Sequence, residues 1–156
     1  MDDTQYHFLY PSTLFASNTP SRVTTILGSC VAICLYDPIL RIGGINHFML
    51  PLWNGQGLPS PKYGNIATEK LVEKMLLLGS QKGNIVAKVF GGGEVIDSTI
   101  KIFNIGERNI VIANEMLESF KIPVVAKSIG GKYGRKIEYV TNTGEVKHRL
   151  INRDVK

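Results

Sequence analysis

Cys30 closes the run Thr24-Thr25-Ile26-Leu27-Gly28-Ser29-Cys30, and His47 follows seventeen residues later in Gly43-Gly44-Ile45-Asn46-His47. A thiol beside an imidazole is a nucleophile with its own general base, suited to acyl transfer from amides and esters. The two residues bracket what reads as one β-hairpin, with arms at 31–37 and 40–47 around a two-residue turn at Pro38-Ile39. That turn pairs Asp37 with Leu40 and, carried to the ends of the arms, Cys30 with His47. Residues directly opposed on antiparallel strands bring their Cβ atoms within about 5 Å. Longer loops are also common in hairpins, and a one-residue slip would send the two side chains to opposite faces.

Gly28-Ser29 immediately precedes the cysteine. Glycine lets the chain turn sharply and lets a substrate approach the backbone, so amides around Ser29 and Cys30 are candidate oxyanion donors. Free cysteine is also among the most buried residue types. Cys34, between Ile33 and Leu35 in mid-strand, reads as core. For Cys30 two readings stand at this point, a structural thiol and a nucleophile.

Other chemistries find little support. Cys30 and Cys34 on one extended strand would have Cα atoms about 13 Å apart, too far for a disulfide. His7, His47 and His148 lie on separate segments without a carboxylate cluster, so no metal site and no cofactor are expected. No GxSxG elbow occurs. Gly91-Gly92-Gly93 follows a predicted strand but matches neither GxxxxGK[ST] nor GxGxxG, and close packing or a turn is expected there. Gly130-Gly131-Lys132-Tyr133-Gly134-Arg135-Lys136 is basic and glycine-rich, a candidate rim for an acidic partner.

The elements that must position these residues follow from periodicity and punctuation. After a short amino-terminal arm, residues 21–27 form a strand rich in Val, Thr and Ile, and the hairpin follows. Residues 51–63, with three prolines and two glycines, form a long loop leaving the His47 strand, a candidate lid. Helical spacing predicts a helix over 65–78, stopped at Gly79, and a second over 107–120 with Ile110, Ala113, Met116, Leu117 and Phe120 as its stripe. Strands are predicted at 86–90 and from Pro123 to Lys127, and a closing hairpin at 135–141 and 145–151 around Asn142-Thr143-Gly144. The sum is an α/β chain of the α+β type, a mixed-sheet sandwich with helices packed on it, forming a single domain over 1–156.

Bulk properties set the class. The chain of 156 residues is long enough for one sizeable core, and no apolar run could span a membrane. Asp2-Asp3 stands where a signal peptide carries basic residues, so a cytoplasmic location is expected, with no membrane insertion. The net charge of +5 gathers late, with Lys127, Lys132, Arg135, Lys136, Lys147, Arg149, Arg153 and Lys156 opposed by Glu138, Glu145 and Asp154. That balance suits either an acidic partner or a solvated sheet edge. It lacks the aromatic interleaving of an RNA-binding sheet, and no nucleic-acid partner is expected.

Leu27-Gly28-Ser29-Cys30-Val31 together with Gly44-Ile45-Asn46-His47-Phe48-Met49-Leu50-Pro51 strongly resembles the CheD family of chemoreceptor glutamine deamidases. The likeness extends to Lys88-Val89-Phe90-Gly91-Gly92, Ile105-Gly106-Glu107-Arg108-Asn109 and the Gly130–Lys136 block, in order along nearly the whole chain. It implies a compact sandwich related to bacterial toxin deamidases, with Cys30 as nucleophile, His47 as general base and Thr24, or else its neighbour Thr25, orienting the histidine. Gly28 and Ser29 would flank the oxyanion site. The implied substrates are glutamines on cytoplasmic helices of methyl-accepting chemotaxis receptors, with receptor glutamate methyl esters as a second substrate in some members. A CheC-type phosphatase is an implied partner, and a non-catalytic regulator binding that phosphatase or the receptor is the alternative. The chain departs from the family pattern at 79–84, which lacks an expected arginine, and at Gly93-Glu94, where a small or apolar pair is usual.

Overall fold

The structure, a computed structural model, describes residues 4–94 and 104–151. The acidic start Asp2-Asp3 and the charged residues Arg153, Asp154 and Lys156 lie outside the described residues. In chain order the elements are β1 (Gln5–Phe8), β2 (Thr13–Ser17), β3 (Ser21–Leu27), β4 (Val31–Asp37), β5 (Ile42–His47), α1 (Gly64–Leu77), β6 (Val86–Gly91), α2 (Ile105–Ser119), β7 (Val124–Ile129), β8 (Gly134–Val140) and β9 (Val146–Ile151). They form a four-stranded sheet, β1-β3-β8-β9, and a five-stranded sheet, β2-β5-β4-β6-β7. Both sheets are mixed, because β1 runs parallel to β3 and β7 parallel to β6. The expected mixed-sheet α+β sandwich is the architecture found.

Side-chain alternation dictates how the layers stack. In β3, Val23, Thr25 and Leu27 are buried, whereas Arg22, Thr24 and Ile26 point outward. In β4, Val31, Ile33 and Leu35 meet Leu71 and Met75 of α1 and Ala113 and Leu117 of α2. Ala32 and Cys34 face the other way, against Val23, Leu27, Ile137 and Tyr139 of the four-stranded sheet. The result is three layers, helices over the five-stranded sheet over the four-stranded sheet, with β4 buried on both faces. Cys34 is core, and burial pushes its thiol far above the ordinary range, which makes it chemically inert.

Several expectations shift. The amino-terminal arm contains two strands, β1 and β2, each at the edge of a sheet. The side chains of β1 are exposed throughout, so no alternation marks it in the sequence. The second helix begins at Ile105, and its buried face carries Gly106, Asn109, Ile112, Ala113 and Leu117, with Ile110 only half-buried.

The hairpin register also differs. Asp37 pairs with Ile42, Cys34 with Ile45, and Val31 bridges Phe48, so the loop spans residues 38–41. Asp37 is the cause. Its Oδ1 accepts the Ile39 and Leu40 amides at 2.8 and 3.1 Å, and its carbonyl accepts the Arg41 amide at 2.8 Å. This Asx-type closure, with Arg41 at φ 58°, holds a four-residue loop where Pro38 alone suggested a shorter one. The displacement is two residues. Because the strand period is also two, Cys30 and His47 stay on the same face and become diagonal neighbours.

Candidate active site

The Gly28-Ser29-Cys30 segment is the crossover from the four-stranded sheet to the five-stranded one, between β3 and β4. A second crossover, between β1 and β2, reaches the same end of the sandwich, where Ser12 donates its amide to the His47 carbonyl at 2.8 Å. Cys30 is half-buried against the inter-sheet core. His47, the last residue of β5, is 1% exposed and points into the same inter-sheet space. Diagonal neighbours on adjacent strands have Cα atoms about 7–8 Å apart, a span that two side chains can close.

Hydrogen bonding fixes the histidine's tautomer. Thr25 Oγ1 lies 2.7 Å from His47 Nδ1 and 2.7 Å from the Leu9 carbonyl. A hydroxyl has one proton, and a carbonyl oxygen can only accept, so Thr25 donates to Leu9 and accepts from Nδ1–H. The lone pair of His47 is then on Nε2, which is buried and has no partner among the described residues. A buried neutral imidazole nitrogen with a free lone pair can accept a proton.

Thr24, expected to orient the histidine, does not face it. Its side chain lies on the outer surface of β3, and its carbonyl accepts the Leu9 amide at 2.9 Å. The orienting contact belongs to Thr25, one residue on, because consecutive strand residues alternate faces. Thr25→Val, which keeps shape and removes the hydroxyl, is expected to lower turnover by about 10- to 100-fold through loss of the tautomer and ring orientation. Thr24→Val should leave turnover within about twofold, as an outward surface change. Steady-state rates of the two variants decide between the neighbours.

The carbonyls of the crossover are all pinned. Gly93 N–H donates to the Gly28 carbonyl at 3.0 Å, Asn109 Nδ2 to that of Ser29 at 3.0 Å, and Gly92 N–H to that of Cys30 at 2.9 Å. In a trans peptide the C=O and the following N–H point in opposite directions. Fixing the Gly28 and Ser29 carbonyls therefore aims the Ser29 and Cys30 amides the other way. Neither amide has a backbone partner among the described residues. Amides without backbone partners are candidate oxyanion donors, the Cys30 amide also lying against its own thiol.

The glycine triplet explains how the crossover is held. Gly91 has φ 110°, and a Cβ there would lie 2.2 Å from the Cys30 carbonyl oxygen. No side chain fits, and the triplet is a packing device, as its lack of a phosphate motif suggested. Gly91 also accepts the Gly130 amide at 2.9 Å, and Arg135 spans Ser128 Oγ at 3.0 Å and the Gly130 carbonyl at 2.8 Å. The basic Gly130–Lys136 block thereby borders the β6 end of the site. Gly91→Ala is expected to cost about 2–4 kcal/mol, combining backbone strain with displacement of the crossover. Urea denaturation of the variant measures it.

Electrostatics keep the pair neutral at rest. Burial pushes the Cys30 thiol up, offset in part by its own backbone amide. Burial also lowers the His47 imidazole to about 4.

Residues 51–63 form a closed loop whose ends meet. Leu50 bridges Tyr63, and Met49 and Leu50 donate to the Lys62 carbonyl at 2.9 and 3.1 Å. Trp53 N–H is held by Asn65 Oδ1 at 3.1 Å, and Leu58 at the tip is 85% exposed. No group of His, Cys, Asp and Glu able to hold a metal occurs among the described residues.

Sequence reasoning missed two contributors and left Thr25 as the alternative to Thr24. The Leu9 carbonyl is backbone and leaves no trace in residue types. Asn109 had a signal, a polar residue on the buried face of a helix.

Residues 49–150 match the family model described as CheD chemotactic sensory transduction. The chain is 50% identical over 140 residues to a probable chemoreceptor glutamine deamidase CheD of Trichlorobacter lovleyi, covering 90% of this chain and 87% of that one. It is 45% identical over 147 residues to the protein of that description in Sulfurimonas denitrificans, covering 94% of each. Among solved structures, the hypothetical protein YfiH of Bacillus licheniformis aligns with a TM-score of 0.45 at 14% identity, over 70% of this chain and 49% of that one.

Proposed function

The chain belongs to the CheD family, and we propose that it deamidates chemoreceptor glutamines with Cys30 as nucleophile and His47 as base. The observation that carries this reading is the buried, unpartnered His47 Nε2, left as acceptor by the Leu9–Thr25–His47 chain of hydrogen bonds. A structural histidine would have both ring nitrogens satisfied.

In this mechanism Nε2 takes the thiol proton as Sγ bonds to the glutamine side-chain carbonyl carbon. The carbonyl oxygen gathers negative charge, which the Ser29 and Cys30 amides stabilise. The imidazolium then protonates the departing nitrogen, the C–N bond breaks, and ammonia leaves a thioester on Cys30. Water gives one proton to Nε2 and adds to the thioester. Collapse returns that proton to sulfur and releases glutamate. A glutamate methyl ester enters by the same path, with methanol as leaving group.

Partners follow from the substrate. The modified helices are cytoplasmic parts of receptors, and no helix among the described residues is long and apolar enough to cross a membrane. Lys132 is exposed in the block that borders the β6 end of the site, and positive charge there speeds encounter with an acidic helix. The further expectation of a CheC-type phosphatase as partner rests on the family resemblance. Mass spectrometry of a receptor fragment incubated with the protein tests the reading. Amide-to-acid conversion at defined glutamines is the expected result, and binding without conversion would identify a non-catalytic regulator instead.

A further inference from the structure

We propose that Asn109, on α2, is a positioning residue that aims the Cys30 amide at the developing oxyanion. The proposal rests on Cys30 being the nucleophile, and it concerns a residue on a different element that acts through the crossover backbone.

Asn109 is fully buried on the face of α2 that packs against the five-stranded sheet. Its Nδ2 donates to the Ser29 and Met49 carbonyls, each at 3.0 Å. Ser29 belongs to the crossover that carries Cys30, and Met49 lies two residues beyond His47. One amide group therefore ties the nucleophile's segment to the base's segment. Both protons of the NH2 are used, so no hydroxyl and no carboxylate could replace it.

The Ser29 carbonyl and the Cys30 N–H are opposite ends of one planar peptide unit. Gripping the carbonyl from the α2 side sets the direction in which the N–H points. Gly92 holds the next carbonyl in the same way, through its backbone N–H. Asn109 is the side chain in this set, and so the part that sequence can change.

A cost marks the residue as more than packing. Asn109 Oδ1 is buried without a partner among the described residues. Its neighbours on the buried face, Ile112, Ala113 and Leu117, are apolar. Its nitrogen offsets that cost by satisfying the Ser29 and Met49 carbonyls, which a leucine would leave without this donor. Retention of the amide is explained by what its nitrogen holds.

Asn109→Leu and Asn109→Ala, compared with wild type on a receptor fragment, test the proposal. With the clamp removed, kcat is expected to fall about 10- to 100-fold while KM stays within about threefold, because the lost donor matters only as the oxyanion forms. Iodoacetamide supplies a second readout that needs no turnover. Peptide-mapped labelling of Cys30 should quicken at least fivefold as the crossover loosens, with Cys34, deep in β4, staying unlabelled as a report that the fold is intact. A folded variant with wild-type kcat and wild-type Cys30 labelling would overturn the proposal. Failure of both variants to fold, or labelling of Cys34 in step with Cys30, would reduce Asn109 to a structural residue and overturn it as well. If wild type itself shows no deamidation while Cys30 labelling still responds to Asn109, the failure lies in the enzymatic reading and not in the clamp.

Discussion

Replacing Cys30 with alanine is expected to abolish deamidation, with a loss of at least about 10⁴-fold, while leaving the fold in place. Removal of a nucleophile takes away the covalent route itself, and what remains is binding and the oxyanion donors. The structural consequence is small. Cys30 is half-buried at the margin of the inter-sheet core, and trimming its sulfur removes little packing, within about 1 kcal/mol. Cys30→Ser is expected to rescue little of the activity, because the alcohol is far less acidic than the thiol and His47 is a weak base in this setting. Full deamidation of a receptor fragment by Cys30→Ala would end the mechanism. The Cys34→Ala variant is the matched control, a buried thiol that should matter to stability and not to rate.

Replacing His47 with asparagine should cost at least about 10³-fold in rate and, in addition, change how stability depends on pH. Asparagine retains a side-chain donor to meet Thr25 but has no basic nitrogen to accept the thiol proton. The pH effect follows from burial. His47 is neutral in the fold, with its pKa lowered to about 4, whereas an unfolded histidine titrates near 6.5. Between those values the unfolded chain binds the proton and the folded chain does not, so stability rises with pH across that window. The contribution is fully present above 6.5 and is lost as pH falls to 4. At about 1.4 kcal/mol per pH unit it amounts to roughly 3 kcal/mol. His47→Asn should lose this share of the acid sensitivity, visible as a smaller drop in urea midpoint between pH 7 and pH 4.5. The same lowered pKa sets the acid limb of kcat/KM near 4, well below that of an ordinary histidine. An acid limb near 6.5 with unchanged acid sensitivity in His47→Asn would contradict a buried neutral imidazole.

Much of the site was legible in residue types. Gly28-Ser29-Cys30 and His47 could be singled out by chemistry, and the strand that buries Cys34 by its apolar run. The hairpin was legible as a hairpin but not in its register. Pro38 suggested a short turn, and the backbone hydrogen bonds to Asp37 that lengthen it depend on a side chain folding back onto its own chain. The error was harmless because a shift by the strand period preserves the face. The choice between Thr24 and Thr25 was not harmless, since one residue reverses direction. Only the burial of Val23, Thr25 and Leu27 against the second sheet decides it. The edge strands β1 and β2 were invisible because neither alternates between buried and exposed side chains, yet β1 leads into Leu9, which accepts the Thr25 proton.

By itself the amino-acid sequence determined the candidate thiol and imidazole, the alternation that sorts side chains into layers, and the glycines that permit close backbone approach. These are local properties, fixed by residue chemistry and by periods of two and of about 3.6. The tertiary structure decided which nitrogen of His47 keeps its lone pair, which threonine holds the ring, and which crossover carbonyls are pinned. Each of these depends on groups far apart in the chain, Leu9 with Thr25 and His47, and Asn109 with Ser29 and Met49. A hydrogen bond has one proton and one direction, and its assignment requires both partners in place.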